Sequence, residues 1–403
     1  MPNSVLEFNI HSNSIACSVQ LPLKELQFAL DFDVMDFNEE KLKLHSKALT
    51  SYMVAHFKIK DEEGTFYHPA VQNISLNTSE QNGTGAYKEL VINMLFTPQN
   101  KNANNRKFIL LYDAITHQVA SHKTLVTLKT DWESGDIDEA TTLIGTIGLD
   151  VRTNTIKPFE INLDEGSLWK GFKSMVALGM KHISEGIDHL LFLIVLLLSA
   201  PLIETKGKWT KTSTIKQSIY KMTRITLAFT VGHSITLILG ALNWIKMPQQ
   251  PVEVLIAVSI LVTAIHCIKP LFPKKETLIA AGFGLVHGLA FATVLSRLDL
   301  DSSKLALSLF GFNMGIELMQ LIVVVLVMPW LLMISKEAIF GKVKSFGAII
   351  AILLSLFWIV ERVTGNAIML SVTFEKMVHN AYWSIVVLAS FVLTYRGIKQ
   401  FTR

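Results

Sequence analysis

The stretch GMKHISEGIDHLLFLIVLLL, residues 179–198, sets two histidines, a glutamate and an aspartate at the mouth of an apolar run long enough to cross a bilayer. An ionisable side chain at membrane depth costs about 3 kcal/mol or more unless it is paired, hydrated or bound to a metal, so each such residue is a functional candidate. The same kind of residue recurs further along. LAFTVGHSITL carries Thr230, His233, Ser234 and Thr236, Glu253 opens the next apolar run, and His287 sits in FGLVHGLAFA. Asn313, Glu317 and Gln320 follow, and Glu361 and Arg362 end a later run. Imidazole and carboxylate together suit a divalent transition metal, and the set does not choose among nickel, cobalt and zinc.

Spacing sorts these residues. Asn313, Glu317 and Gln320 lie at i, i+4 and i+7 and share one helix face. His182 and His189 also share a face, but on a straight helix they stand about 10.5 Å apart. One ion with nitrogen bonds of about 2.1 Å cannot reach both, unless the helix breaks at Gly186. The expectation is a two-stage site, with His182 and Glu253 at its mouth and Asp188, His189, His233 and His287 deep. Glu185, Glu253, Asn313 and Glu317 serve as outer groups that orient the ligands or release the ion. Glycines recur beside these residues, among them Gly179, Gly186, Gly232, Gly284, Gly288, Gly311 and Gly315. Small residues let membrane helices approach closely enough for histidines from several of them to meet.

The elements that must position this chemistry follow from hydropathy. Half the chain is apolar and only 17% is charged, and the apolar share is concentrated after about residue 172. Candidate spans fall at 175–200, 221–243, 251–269, 276–298, 303–334, 343–361 and 377–397, each near or above the ~20 residues a crossing needs. Seven spans are therefore expected, forming a membrane all-α bundle over 166–403. SLWKGFKSMVAL leads into the first with Trp169 and lysines suited to a membrane interface.

Lysine and arginine alternate from loop to loop. The 201–224 loop holds Lys206, Lys208, Lys211, Lys216, Lys221 and Arg224, whereas 244–250 holds only Lys246. Lys269, Lys274 and Lys275 come next, then an acidic loop near 299–302, then Lys336, Lys342 and Lys344, and the tail ends with Arg396, Lys399 and Arg403. This alternation predicts an outside N-terminal domain and a cytoplasmic C-terminus. By the same topology His233 and His287 lie about eleven residues from their helix ends, near the bilayer midplane, in a polar funnel that opens outward.

Residues 1–165 read as an extracytoplasmic β-rich, sandwich-like domain. SIACSVQLPL, SYMVAHFKIK, YKELVINMLF, RKFILLYDAI and KTLVTLKTDW alternate or are β-branched, and turn-prone clusters such as NTSEQNGTG and TPQNKNANN separate them. Its His45, His56, His68, His117 and His122 show no ligand spacing and read as surface or strand-face residues. Cys17 and Cys267 fall in different domains, so no disulfide is expected. MPNSVLEFNI lacks the basic start and apolar stretch of a secretory signal, and an outside domain then implies a mature or trimmed chain. A net charge of +4 distributed by loop reads as topology and excludes a nucleic-acid footprint.

Six ordered blocks, GMKHISEGIDHLLFLIVLLLS, FTVGHSITL, VEVLIAVSI, FGLVHGLAFA, FNMGIELMQL and FWIVERV, resemble the HupE/UreJ family of bacterial membrane proteins, in the branch with an N-terminal extracytoplasmic domain. That resemblance implies a nickel or cobalt permease of the bacterial inner membrane. The family's first-helix motif of His, Gly and Asp-His is similar to His182, Gly186, Asp188 and His189. It is also similar to the His-x4-Asp-His signature of a separate nickel/cobalt transporter family, with five intervening residues here in place of four.

Two other readings stay open. A zinc-dependent intramembrane hydrolase would use Asp188 or Glu317 as base and Ser234 as an oxyanion donor, and seven spans with His, Asp and Ser resemble the membrane hydrolases related to alkaline ceramidase. A membrane scaffold or sensor would use the polar residues as a hydrogen-bond network and residues 1–165 to engage a protein partner. GxxxxGK[ST] does not occur, so transport would be passive, ion-coupled or driven by another protein.

Overall fold

The computed structural model describes residues 2–365, apart from 82–84, 101–102, 138–140, 164, 243, 246, 297 and 299, together with 390, 392 and 394. Apart from 390, 392 and 394, the span expected at 377–397 therefore lies outside the described residues, as do His379, Lys246 and the basic tail. Contacts divide the chain into two units, Met1–Ser174 with Leu298–Lys304, and Met175–Arg297 with Leu305–Arg403.

The first unit is sheet-rich. In chain order it holds β1 (Ser4–Ile10), β2 (Ile15–Pro22), the short helix α1 (Leu23–Leu26), α2 (Glu39–His56), β3 (Phe57–Lys60), β4 (His68–Gln81), β5 (Gly85–Thr97), β6 (Lys107–Tyr112), β7 (Thr124–Asp131) and β8 (Thr142–Ile147). The two-residue strands β9 (Leu149–Asp150) and β10 (Thr155–Ile156) pair with each other, and β11 (Phe159–Asn162) follows. One sheet runs β4-β5-β2-β1-β7-β8 and another β11-β6-β3. The pair β1–β7 is parallel, so hairpins alone do not build the sheet.

Alternation explains these strands. In β1 every second residue is buried, among them Leu6 and Phe8, and Cys17, Val19 and Leu21 do the same from β2. Phe8, Phe57 and Phe96 pack ring to ring beneath them, with Phe57 and Phe96 centroids 4.6 Å apart. Arg106 and Asp131 form a buried ion pair. Lys304, from the short return segment 298–304, reaches Glu133 at 2.6 Å. Both cysteines are free and buried.

SYMVAHFKIK corrects a strand expectation. Its first six residues finish the 18-residue helix α2, and only FKIK is extended. The Asn38 side chain caps the helix by accepting from the Lys41 amide at 2.9 Å, with Glu39 and Glu40 in the first turn. Leu42, Leu49 and Met53 then bury one face at a helical repeat that crosses the strand-like stretch.

His122 is 3% exposed, with Nε2 2.8 Å from the Ser4 hydroxyl. Burial pulls its pKa down to about 4 from an ordinary 6.5. Between these values the unfolded chain binds a proton that the folded unit refuses. Stability is therefore fully present above pH 6.5 and is lost as pH falls toward 4, by at most about 3 kcal/mol. We predict that the unfolding midpoint of this unit drops over that window and that His122→Gln flattens the drop; an equal drop in the variant would assign it to other groups.

The second unit is helical. The pair α3 (Leu168–Glu185, whose first residues belong to the first unit) and α4 (Ile187–Ser199) leads to a hairpin of β12 (Leu202–Thr205) and β13 (Lys208–Thr212), then α5 (Ile215–Ala241), α6 (Gln249–Ile268), α7 (Glu276–Ser296), α8 (Ser302–Ile334) and α9 (Phe340–Thr364). Four helices, α5, α6, α8 and α9, are long and apolar enough to cross a membrane, and α3 with α4 makes a fifth if that bent pair is one span. α7 is a shorter apolar helix over Glu276–Phe291. Seven spans are thus not shown among the described residues. The basic loop expected at 201–224 is shorter than its sequence suggests, because Thr214 and Gln217 form a reciprocal capping box that starts α5 at Ile215.

Candidate metal centre

The apolar run at 179–198 is broken at Gly186. Its backbone is extended there (φ −73°, ψ 95°), and α3 and α4 meet at 70°. The Gly186 amide closes the last turn of α3 on the His182 carbonyl at 3.0 Å, while its own carbonyl accepts from Leu190 to open α4. A Cβ at this position would lie 2.6 Å from the His182 carbonyl and 2.8 Å from His189 Nδ1, so the break requires glycine. The bend folds His182 back toward His189 until their ring centroids are 4.5 Å apart.

Close backbone crossings bring in the other helices. A Cβ on Gly232 of α5 would strike the Ala281 carbonyl of α7, and one on Gly284 of α7 would strike the Phe229 carbonyl of α5. At this distance His233 of α5 and His287 of α7 project into the same interior, both 0% exposed. The centroid of His287 lies 5.0 Å from that of His189, and His233 lies 6.1 Å from His182 and 6.4 Å from His189. Phe192, Phe229, Phe291 and Phe312 line the cluster with aromatic rings.

The hydrogen-bond partners favour one set of ring tautomers. Asp188, in the first turn of α4, accepts from His189 Nδ1 at 3.0 Å, which leaves the neutral ring a lone pair on Nε2. Ser259 of α6 donates its proton to the Ile256 carbonyl at 2.7 Å. His287 Nε2, 3.0 Å from that hydroxyl oxygen, is then the donor, and its Nδ1 keeps the lone pair. His189 Nε2 and His287 Nδ1 face each other at 3.4 Å. Two nitrogens bound to one tetrahedral ion at about 2.1 Å stand about 3.4 Å apart. Asp188, His189 and His287 each offer a ligand atom within 4.8 Å of the others.

The flanking histidines match a cation better than a hydrogen-bond network. Both nitrogens of His233 and Nε2 of His182 are buried with no partner. A buried imidazole kept only for packing normally finds one, because an unsatisfied polar group costs about 1–3 kcal/mol. His233, with neither nitrogen partnered, differs from His266, whose Nε2 is also unpartnered but whose Nδ1 accepts from the Leu271 and Phe272 amides at 3.0 and 3.3 Å.

The remaining sequence candidates divide. Asn313 is near the cluster on α8, with Oδ1 2.8 Å from the hydroxyl of Ser234, which in turn donates to the Thr230 carbonyl. Ser234 is thereby engaged with Asn313 and its own helix. Glu253 is instead 3.4 Å from Arg362 and accepts from Gln249, so it joins a pair between α6 and α9 and not the histidines. Glu185 is exposed and Glu317 partly buried. Ser259, outside the expected set, and Gln320, expected on the Asn313 face but given no role, touch the site. Ser259 orients His287, and Gln320, whose Oε1 is buried without a partner, lines a small cavity with His189, Thr226 and Phe229. The i, i+7 relation of Gln320 to Asn313 was the available signal for the second; Ser259 is a lone serine in an apolar helix and offered none.

Compared with known families, residues 159–362, about half the chain, match the model described as HupE / UreJ protein. No curated protein matches the chain.

Proposed function

The chain belongs to the HupE/UreJ family, and from that premise we propose that it is an integral membrane permease for a divalent transition metal, nickel or cobalt ahead of zinc. The family's association with nickel and cobalt transport supports this reading. The observation that carries it is the approach of His189 Nε2 and His287 Nδ1 to 3.4 Å beside the Asp188 carboxylate. Where both nitrogens carry lone pairs they repel each other, and a cation between them would relieve that repulsion. The ion is cargo, so weak, exchangeable ligation suits the task better than a closed four-ligand cage.

In this proposal the ion comes from outside, passes His182, is held near the bilayer midplane by Asp188, His189 and His287 with His233 adjacent, and leaves past Asn313 and Glu317. The loop alternation of Lys and Arg supports an outside N-terminal unit and a cytoplasmic C-terminus in a bacterial inner membrane. Interiors formed by interrupted helices are where transporters hold their ions, and the break at Gly186 is such an interruption.

Uptake of radiolabelled nickel and cobalt into cells expressing the protein tests the proposal. Accumulation several-fold above vector controls is expected, with competition between the two metals. Tightly held zinc in the purified protein and no uptake of any metal would overturn it in favour of the hydrolase. Neither binding nor uptake would leave the scaffold reading.

A further inference from the structure

We propose that the N-terminal unit carries its own metal site, formed by His56, Asp113 and His117, for a divalent transition cation of the nickel, cobalt, copper and zinc class. It is independent of the membrane cluster and stands whether or not that cluster carries an ion. The three side chains each offer a ligand atom within 4.8 Å of the others.

Strand register brings them together. β3 pairs with β6 so that Phe57 lies opposite Tyr112, and the residues flanking that pair, His56 at the end of α2 and Asp113 after β6, become neighbours. The Asp113 amide donates to the His56 carbonyl at 3.2 Å and fixes the junction. The chain then turns tightly, and the His117 amide returns to the Asp113 carbonyl at 3.0 Å. Within this turn Ile115 has φ 63°, an unfavourable value for a β-branched residue. Its amide is held by the Tyr52 hydroxyl at 2.9 Å, and the Tyr52 ring packs 4.6 Å from His56 and 6.0 Å from His117.

The hydrogen bonds prepare both imidazoles as ligands. His117 Nδ1 donates to the Asp113 backbone carbonyl at 2.9 Å, and His56 Nδ1 donates to Asp113 Oδ1 at 2.8 Å. Each neutral ring therefore keeps its lone pair on Nε2. This is the arrangement by which carbonyls and carboxylates orient metal-binding histidines. The rings are stacked with centroids 4.1 Å apart. Their lone pairs lie in the ring planes, so holding one ion requires the two rings to tilt toward each other from this stack. The side chains of His56 and Asp113 are 25% and 46% exposed, so an ion can arrive from water and keep a water ligand. Two imidazoles select against magnesium and calcium, which take oxygen ligands.

The test is Co2+ titration of the full chain in detergent, followed by the visible absorption of the bound ion. The background is His189→Ala/His287→Ala, with the intact membrane cluster run alongside. One saturable equivalent per chain is expected in that background. His117→Ala should weaken it at least about 10-fold, and Asp113→Asn, which preserves volume, should do likewise at an unchanged unfolding midpoint. With the membrane cluster intact, the same substitutions should remove one equivalent and leave the other. No saturable binding in the cluster-deleted background, or binding that survives both substitutions, overturns the site and identifies the trio as a helix-end ion pair only. Because the two clusters are deleted separately, failure here leaves the permease proposal standing, and the reverse holds as well.

Discussion

Replacing His189 and His287 together by alanine is expected to weaken nickel and cobalt binding by the membrane unit at least 100-fold and to abolish uptake, while the protein still folds. Loss of a residue that only orients a metal ligand typically weakens binding 10- to 100-fold, and here two direct ligands go at once. The pair is the only place among the described residues of the membrane unit where two imidazole nitrogens face each other within reach of one ion and a carboxylate. Asp188 and Ser259 would then each lose the imidazole they hydrogen-bond. Both alanines leave small cavities between Phe192 and Phe229, which lowers the unfolding midpoint modestly. Metal content by elemental mass spectrometry on purified wild type and variant gives the answer. Equal stoichiometric metal in both would remove these histidines from the site.

Gly284→Ala is expected to destabilise the membrane unit by about 3 kcal/mol or more and to disperse the cluster, although Gly282→Ala, two residues away on the same helix, should be neutral or slightly stabilising. Alanine is the better helix former by about 1 kcal/mol, so propensity favours both changes. Space separates them. A Cβ on Gly282 meets nothing within 4 Å, whereas one on Gly284 meets the Phe229 carbonyl and lies 2.9 Å from the His233 amide. Those are backbone atoms of α5 and cannot rotate away, so the helices must separate, with the strain of overpacking and the displacement of His233 from His182 and His189. Thermal unfolding in detergent and metal content should fall together in Gly284→Ala. Unchanged values would mean that α5 and α7 do not rely on this crossing to hold the histidines.

The sequence alone determined that this is a sheet-rich domain joined to apolar helices, and which residues carry chemistry in a place where chemistry is costly. Those properties are local: alternation of period two in β1 and β2, continuous apolar runs in α5 to α9, and polar residues inside them. Local patterns failed where two periods overlap, as in SYMVAHFKIK, where the end of a helix and the start of a strand share one alternating stretch. Which candidates meet was decided only by the tertiary structure. His182 and His189 are about 10.5 Å apart on a straight helix, and the 70° bend at Gly186 brings their rings to 4.5 Å. His233 and His287 are placed by a crossing of α5 and α7 set by glycines whose partners lie some fifty residues away. His56, Asp113 and His117 had no spacing in common beyond the short turn in DAITH, and it was the pairing of β3 with β6 that assembled them. In each case the distance that matters for binding is set by non-local backbone contact, which the order of residues along the chain does not state.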